Sequence, residues 1–177
     1  IFRDAVLYGK SLPFRVTMVD LLENESATMD IDIVDNNTMN LSGFTLNGEN
    51  GKKVESDKVI KAHFNSMIST PIGKVMVSKT EFFATAKRTT TIHVIRSPAM
   101  DVAQKYVSRL YADLIDVKAS VIEIILEDES AQRAEDMLYA LFDVYNKKWI
   151  DNINQQAVST SQFIDEELKY DRRNKGL

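Results

Sequence analysis

Apolar and polar residues alternate with two different periods along this chain, and the change of period divides it. In the first half the period is two. Met29, Ile31 and Ile33 alternate with Asp30 and Asp32, which predicts a strand over 27–35 with one buried face. The cluster Asp35-Asn36-Asn37-Thr38 predicts a turn, and 39–46 a returning strand that completes a hairpin. Phe14, Val16 and Met18, after Pro13, predict an extended segment with these three on one face. The turn at 70–73 feeds a short strand over 74–78. Residues 89–96 predict a further strand, with Ile92 and Val94 on one face and His93 and Ile95 on the other. Residues 1–8 read as the end of a short helix closed by Gly9, and 53–69 fit neither period.

From Ser97 the period lengthens. Ser97-Pro98 predicts a helix start. Val102, Tyr106, Val107, Leu110, Tyr111 and Leu114 then predict one amphipathic helix over 98–117. An aliphatic and β-branched run over 120–126 predicts a strand. Strand, helix and strand in this order predict a βαβ unit, with two parallel strands and a right-handed crossover. The expected class is α+β: a base domain with a mixed sheet, helices on one face and a long protruding C-terminal helix.

That last helix is the strongest signal in the chain. Between residue 127 and Gly176 there is no glycine or proline, and a helix over 131–168 would be roughly 57 Å long. Ala134, Leu138, Leu141 and Tyr145, widened by Met137 and Phe142, form a stripe broad enough to pack against a sheet. Asp143 and Lys147 stand four apart, acid first, as a favourable outer-face pair. Beyond Tyr145 the stripe narrows to Trp149, Ile153 and Ala157, and Phe163, Ile164 and Leu168 renew it. A one-residue seam suits a second helix, and this chain has no second long helix to supply one. The expected partner is an absent segment of the same protein or a neighbouring subunit. The competing expectation is a break at Ser159-Thr160-Ser161, since such clusters favour turns and caps. The domains expected are a base domain over 1–145, a protruding helical arm over 146–168, the first of a truncated hairpin, and a polar tail over 169–177.

Composition narrows what the chain can do. The net charge is −4, from 22 basic and 26 acidic residues interspersed along its 177 residues, which argues against a nucleic-acid surface. There is no cysteine, so disulfides, thiolate metal ligation and cysteine nucleophiles are excluded. No apolar run approaches the ~20 residues of a membrane-spanning helix, and no stretch of the sequence reads as a signal peptide. The chain opens on Ile1 in mid-pattern and reads as a piece of a longer protein.

Candidate chemistry is sparse. His63 and His93 lack ligand-spaced partners. The segment GENGKK (48–53) has two residues between its glycines where a phosphate loop needs four, and reads as a turn. Asp30, Asp32 and Asp35 suggest a cation site or an acid pair, against the plainer reading of a solvent face or charged strand edge. No nucleophile with an oriented base is visible. The chain reads as non-catalytic, with no catalytic, cofactor-binding or metal-ligating residues. The residues expected to matter are contacts on the long helix: Tyr145, Trp149, Ile153, Phe163 and Ile164.

An ordered series of motifs adds to this reading. VIEIILED (121–128), SAQRAEDML (130–138), VYN (144–146), the Asn/Gln-rich stretch 152–156, and TSQFIDEEL (160–168) follow one another. Upstream stand SLPFRV (11–16), TPIGK (70–74) and the step at Ser97-Pro98. The series resembles the Wzz-type periplasmic domain of bacterial polysaccharide co-polymerases, in the branch associated with a cytoplasmic tyrosine autokinase. It is dense over the last sixty or so residues and thin over 21–83.

The resemblance implies an α/β base domain on the periplasmic face of the inner membrane, in a membrane-anchored parent protein. It implies a long helix paired with a returning one, homo-oligomeric rings, and control of the length or export of O-antigen, capsule or exopolysaccharide. The implied partners are further copies of the chain and the polysaccharide polymerase and export machinery. The sequence departs from the family in lacking the transmembrane segments, the return helix and any kinase domain; after Leu168 it turns to KYDRRNKGL. An alternative reading is a sensory periplasmic domain that controls the autokinase by binding a glycan or a lipid-linked intermediate. Tyr106, Tyr111, Phe82 and Phe83 are its candidate aromatic contacts. A third, an unrelated soluble α+β enzyme, lacks an active-site set.

Overall fold

The computed structural model describes residues 5–85, 90–116 and 121–175. Its strands are β1 (Phe14–Met18), β2 (Ser26–Ile33), β3 (Thr38–Asn47), β4 (Lys53–Ser56), β5 (Ile60–His63), β6 (Met67–Thr70), β7 (Gly73–Lys79), β8 (Ile92–Arg96), β9 (Leu110–Asp116) and β10 (Val121–Leu126). Its helices are α1 (Ala99–Val107) and α2 (Ala131–Lys175). The chain is an α+β protein ending in a long helix, as its order of elements led one to expect. It forms two compact units, Ile1–Ser130 and Ala131–Leu177.

The first unit is organised by β2. Its side chains alternate without a lapse, Ala27, Met29, Ile31 and Ile33 buried and the residues between them half-exposed. β3 runs antiparallel to it on one side and β8 on the other. β4 and β5 both pair with β3, completing a five-stranded sheet. A second sheet, in the order β1-β7-β6, contributes Phe14, Ile68, Val75 and Val77. With Phe44, Met39 and Leu41 of β3 they form one cluster of buried residues, so the core is closed by sheet against sheet.

β3 departs from strict alternation, for a definable reason. Met39 and Leu41 are buried, then the phase slips and Phe44 and Leu46 are buried. Between the pairs Asp30↔Ser42 and Thr28↔Thr45, β3 has one residue more than β2, which is a β-bulge. The extra residue is Gly43, at φ 61°. A Cβ there would stand 2.7 Å from a carboxylate oxygen of Asp30. Glycine is required both by the backbone and by the close approach.

Asp35 sets the β2–β3 turn. Its Oδ1 accepts the N–H groups of Asn37 at 2.6 Å and Thr38 at 2.7 Å, and its Oδ2 accepts the Thr38 hydroxyl at 2.7 Å. The Thr38 hydroxyl, then these amides, hold its carboxyl down at about 2.

Several expectations are corrected here. Residues 53–69, which fitted neither period, are three short strands, each only four residues long. Residues 5–8 are not helical; residues 1–4 of that expected helix lie outside the described residues. A 3-10 turn, Gly9–Ser11, follows, with Gly9 at φ 55°.

The largest correction concerns the segment expected to be helical over 98–117. α1 stops at Val107, where the Ser108 hydroxyl donates to the Lys105 carbonyl at 2.8 Å. Leu110, Tyr111 and Leu114 lie in β9, antiparallel to β10. There is no parallel βαβ crossover; every strand pairing among the described residues is antiparallel. Residues 89, 117 and 120 of the expected elements lie outside the described residues. Leu110, Ala112 and Leu114 also satisfy a period of two, and ladder bonds to the aliphatic β10 settle the ambiguity.

Phe44 is fully buried at the bulge, so Phe44→Ala is expected to destabilise the first unit by about 3–5 kcal/mol. The urea midpoint at constant slope measures it. For Asp35 the folded pKa lies below the unfolded one, so its contribution is whole above about pH 4 and lost as pH falls through about 2. The stability gap between the native chain and Asp35→Asn should therefore shrink as pH falls from about 5 to about 2. A gap independent of pH would overturn that assignment.

Candidate functional site

The second unit is α2 alone, 45 residues from Ala131 to Lys175, or about 68 Å of helix. Residues 169–175, expected as a polar tail, continue it. Nothing interrupts it at Ser159-Thr160-Ser161: the Thr160 hydroxyl donates to the Gln156 carbonyl four residues back, at 2.8 Å. A hydroxyl satisfied in this way need not compete with the helical ladder. The expected Asp143–Lys147 pair forms at 2.8 Å. The Asp143 carboxylate, by its hydrogen bond and then its charge, raises the Lys147 pKa above its ordinary value.

Burial along the start of α2 is uneven. Only Arg133, Ala134, Met137 and Leu138 are half-buried; Leu141, Phe142 and Tyr145 are exposed.

The contact residues named from sequence lie together on one side of this helix. Tyr145, Trp149, Ile153, Phe163 and Ile164 fall within an arc of about 100°. Their exposures are 64, 57, 42, 63 and 50%. Phe163 stands eighteen residues beyond Tyr145, about five full turns, and so lies over the same line. Phe142, Ile153 and Ile164 follow at intervals of eleven, a spacing that drifts little around a straight helix. Sequence reasoning left out Phe142, exposed within this arc, and Ile150, exposed beside it; the eleven-residue interval was the available signal for Phe142. The seven residues expose on the order of 800 Å², the share of one partner in a standard interface. Gln156 and Thr160 divide the arc into a lower and an upper apolar group.

The other candidates are dispersed. Phe83 packs edge-on to Phe64 at 4.9 Å between centroids, Phe64 meets Phe14 at 6.2 Å, and the Lys79 ammonium lies over Phe64 and Phe83. Tyr106, on α1, donates to Asp128 Oδ2 at 3.0 Å; Asp128 Oδ1 accepts the Ser130 N–H at 2.8 Å. Tyr111 is exposed on β9. The four aromatics proposed as glycan contacts thus belong to three separate elements.

Asp30 and His93 are cross-strand neighbours 2.6 Å apart, and Thr91 donates to Asp32 at 2.6 Å. Both carboxylates lie on the polar face of β2. The His63 carbonyl accepts the Ser66 hydroxyl at 2.7 Å. Among the described residues no group of three or more His, Asp or Glu side chains is arranged to hold a metal ion. Among the described residues no helix is long and apolar enough to cross a membrane.

Comparison of the chain with protein-family models, with curated proteins and with solved structures finds no match.

Continuity of α2 through 157–161 is open to direct test. Ala157→Pro should cost about 3 kcal/mol of helix stability and lower the far-ultraviolet helical signal. An unchanged signal would mean the helix already ends there.

Proposed function

We propose that this chain is the periplasmic module of an inner-membrane polysaccharide co-polymerase, non-enzymatic in itself. It regulates the length and export of a capsular polysaccharide, exopolysaccharide or O-antigen by oligomeric scaffolding. The observation that carries this reading is α2: an unbroken 45-residue helix with its apolar arc open to solvent. A helix of this length, exposed on nearly every side, gains little from its own chain beyond backbone bonds and pairs such as Asp143–Lys147. Its aromatic arc gains from a partner helix laid along it. The ordered motifs from VIEIILED to TSQFIDEEL support the family assignment beside this geometry. In this reading the β-rich first unit is the base, and copies associate through the α2 arcs around the polymerase or the exported chain.

The test separates assembly from folding. Trp149→Ala and Phe163→Ala remove exposed side chains, so each should change the stability of the first unit by less than about 0.5 kcal/mol. Each should weaken self-association in sedimentation by at least an order of magnitude. Trp149 is the only tryptophan, so its emission should move to shorter wavelength as the native chain is concentrated. In the full-length parent protein, the same substitutions should alter the length distribution of the surface polysaccharide on a gel. Unchanged sedimentation together with unchanged polymer length would overturn the proposal.

A further inference from the structure

A separate surface, on β9 and β10, points to a second kind of partner. These strands form a two-stranded ribbon whose outer edges are both unpaired among the described residues. Ribbons of two strands are marginally stable in water without a third strand or a covered face. In register, Leu110, Ala112 and Leu114 stand opposite Leu126, Ile124 and Ile122. One face is therefore aliphatic along its whole length. Leu114 is 53% exposed and Ile122 61%, Leu110, Ile124 and Leu126 are half-buried, and no residue of the ribbon belongs to the buried core.

The opposite face carries a charge conflict. Asp113 lies directly across from Glu123, and like charges in that position are destabilising. Neither carboxylate takes part in an ion pair among the described residues. Asp113 Oδ1 accepts the N–H of its own neighbour Leu114, at 2.8 Å. A strand added at either edge would run within about 4.8 Å of one member of the acid pair.

We infer that the ribbon is a docking edge for an extended segment of another polypeptide, in which aliphatic residues alternate with lysine or arginine. Main-chain bonds to the open edge supply affinity, as in other strand additions. The aliphatic residues extend the Leu110–Leu126 face, and a cation on the other face neutralises Asp113 and Glu123. A second copy of this chain meets the site less well. Ribbon against ribbon, it would bring its own Asp113 and Glu123 to the same place. This inference is independent of the α2 arc and of the polysaccharide reading.

The probe is an octapeptide alternating valine with lysine and threonine, tested beside a twin with glutamate in place of lysine. Backbone amide exchange over 110–116 and 121–126 is followed in the intact chain, with β2 and β3 as internal reference. The lysine peptide should slow exchange in the ribbon several-fold, lose that effect as salt is raised, and leave the reference amides unchanged. The glutamate twin should have no effect. Glu123→Lys replaces the like-charge pair by an attractive one. It should slow ribbon exchange without peptide and abolish the preference for the lysine peptide. Protection by neither peptide, or equally by both, would overturn the inference. So would ribbon protection that rises with protein concentration alone, because the occupant would then be a second copy.

Discussion

The burial of one face of β2 is the constraint on which the first unit depends. Its four inward side chains, Ala27, Met29, Ile31 and Ile33, are almost wholly removed from water. Because side chains alternate every residue, a slip of one place would exchange them for Ser26, Thr28, Asp30 and Asp32. That exchange would bury two carboxylates, at a cost of several kcal/mol each. Register is therefore strongly determined, and the neighbours adjust to it. β3 accommodates through the Gly43 bulge, which lets Met39, Leu41, Phe44 and Leu46 all reach the same core. The Asp35 turn fixes the first pairing of the hairpin.

Beyond β8 this constraint ends. The core and the partly buried hydrophobics against it reach no further along the chain than Val94. α1 contributes no buried residue, the β9–β10 ribbon exposes most of its aliphatic side chains, and α2 is exposed along nearly all its length. Local bonds hold these elements: ladder bonds in the ribbon, the helical ladder in α2, and the link from Tyr106 through Asp128 to Ser130. None of them covers the apolar surface that they display. The two exposed faces differ in kind. The α2 arc is aromatic and suits another helix; the ribbon is aliphatic and acidic, with unpaired edges, and suits a strand.

Legibility followed the strength of local signals. The hairpin of β2 and β3 was readable because Met29, Ile31 and Ile33 repeat at period two and Asp35-Asn36-Asn37-Thr38 is rich in turn formers. That Tyr145, Trp149, Ile153, Phe163 and Ile164 share one side of α2 was readable because helical spacing alone places them there. The helix over 99–107 was readable from its start at Ser97-Pro98, but 110–116 was misread because Val102 to Leu114 satisfies a period of 3.6 and its last residues also satisfy a period of two. Residues 53–69 resisted assignment because strands of four residues are too short to establish a period.

The sequence by itself determined the α+β class, the β2–β3 hairpin, the long glycine- and proline-free helix and the side of that helix which is apolar. Each rests on interactions between residues near one another along the chain, where period and turn chemistry are decisive. Only the tertiary structure decided the pairing of β9 with β10, the bulge at Gly43 and the closing of the core by a second sheet. These depend on contacts between distant residues, such as Ile124 with Ala112 or Asp30 with Gly43. Burial there is a property of both partners and cannot be read from either one.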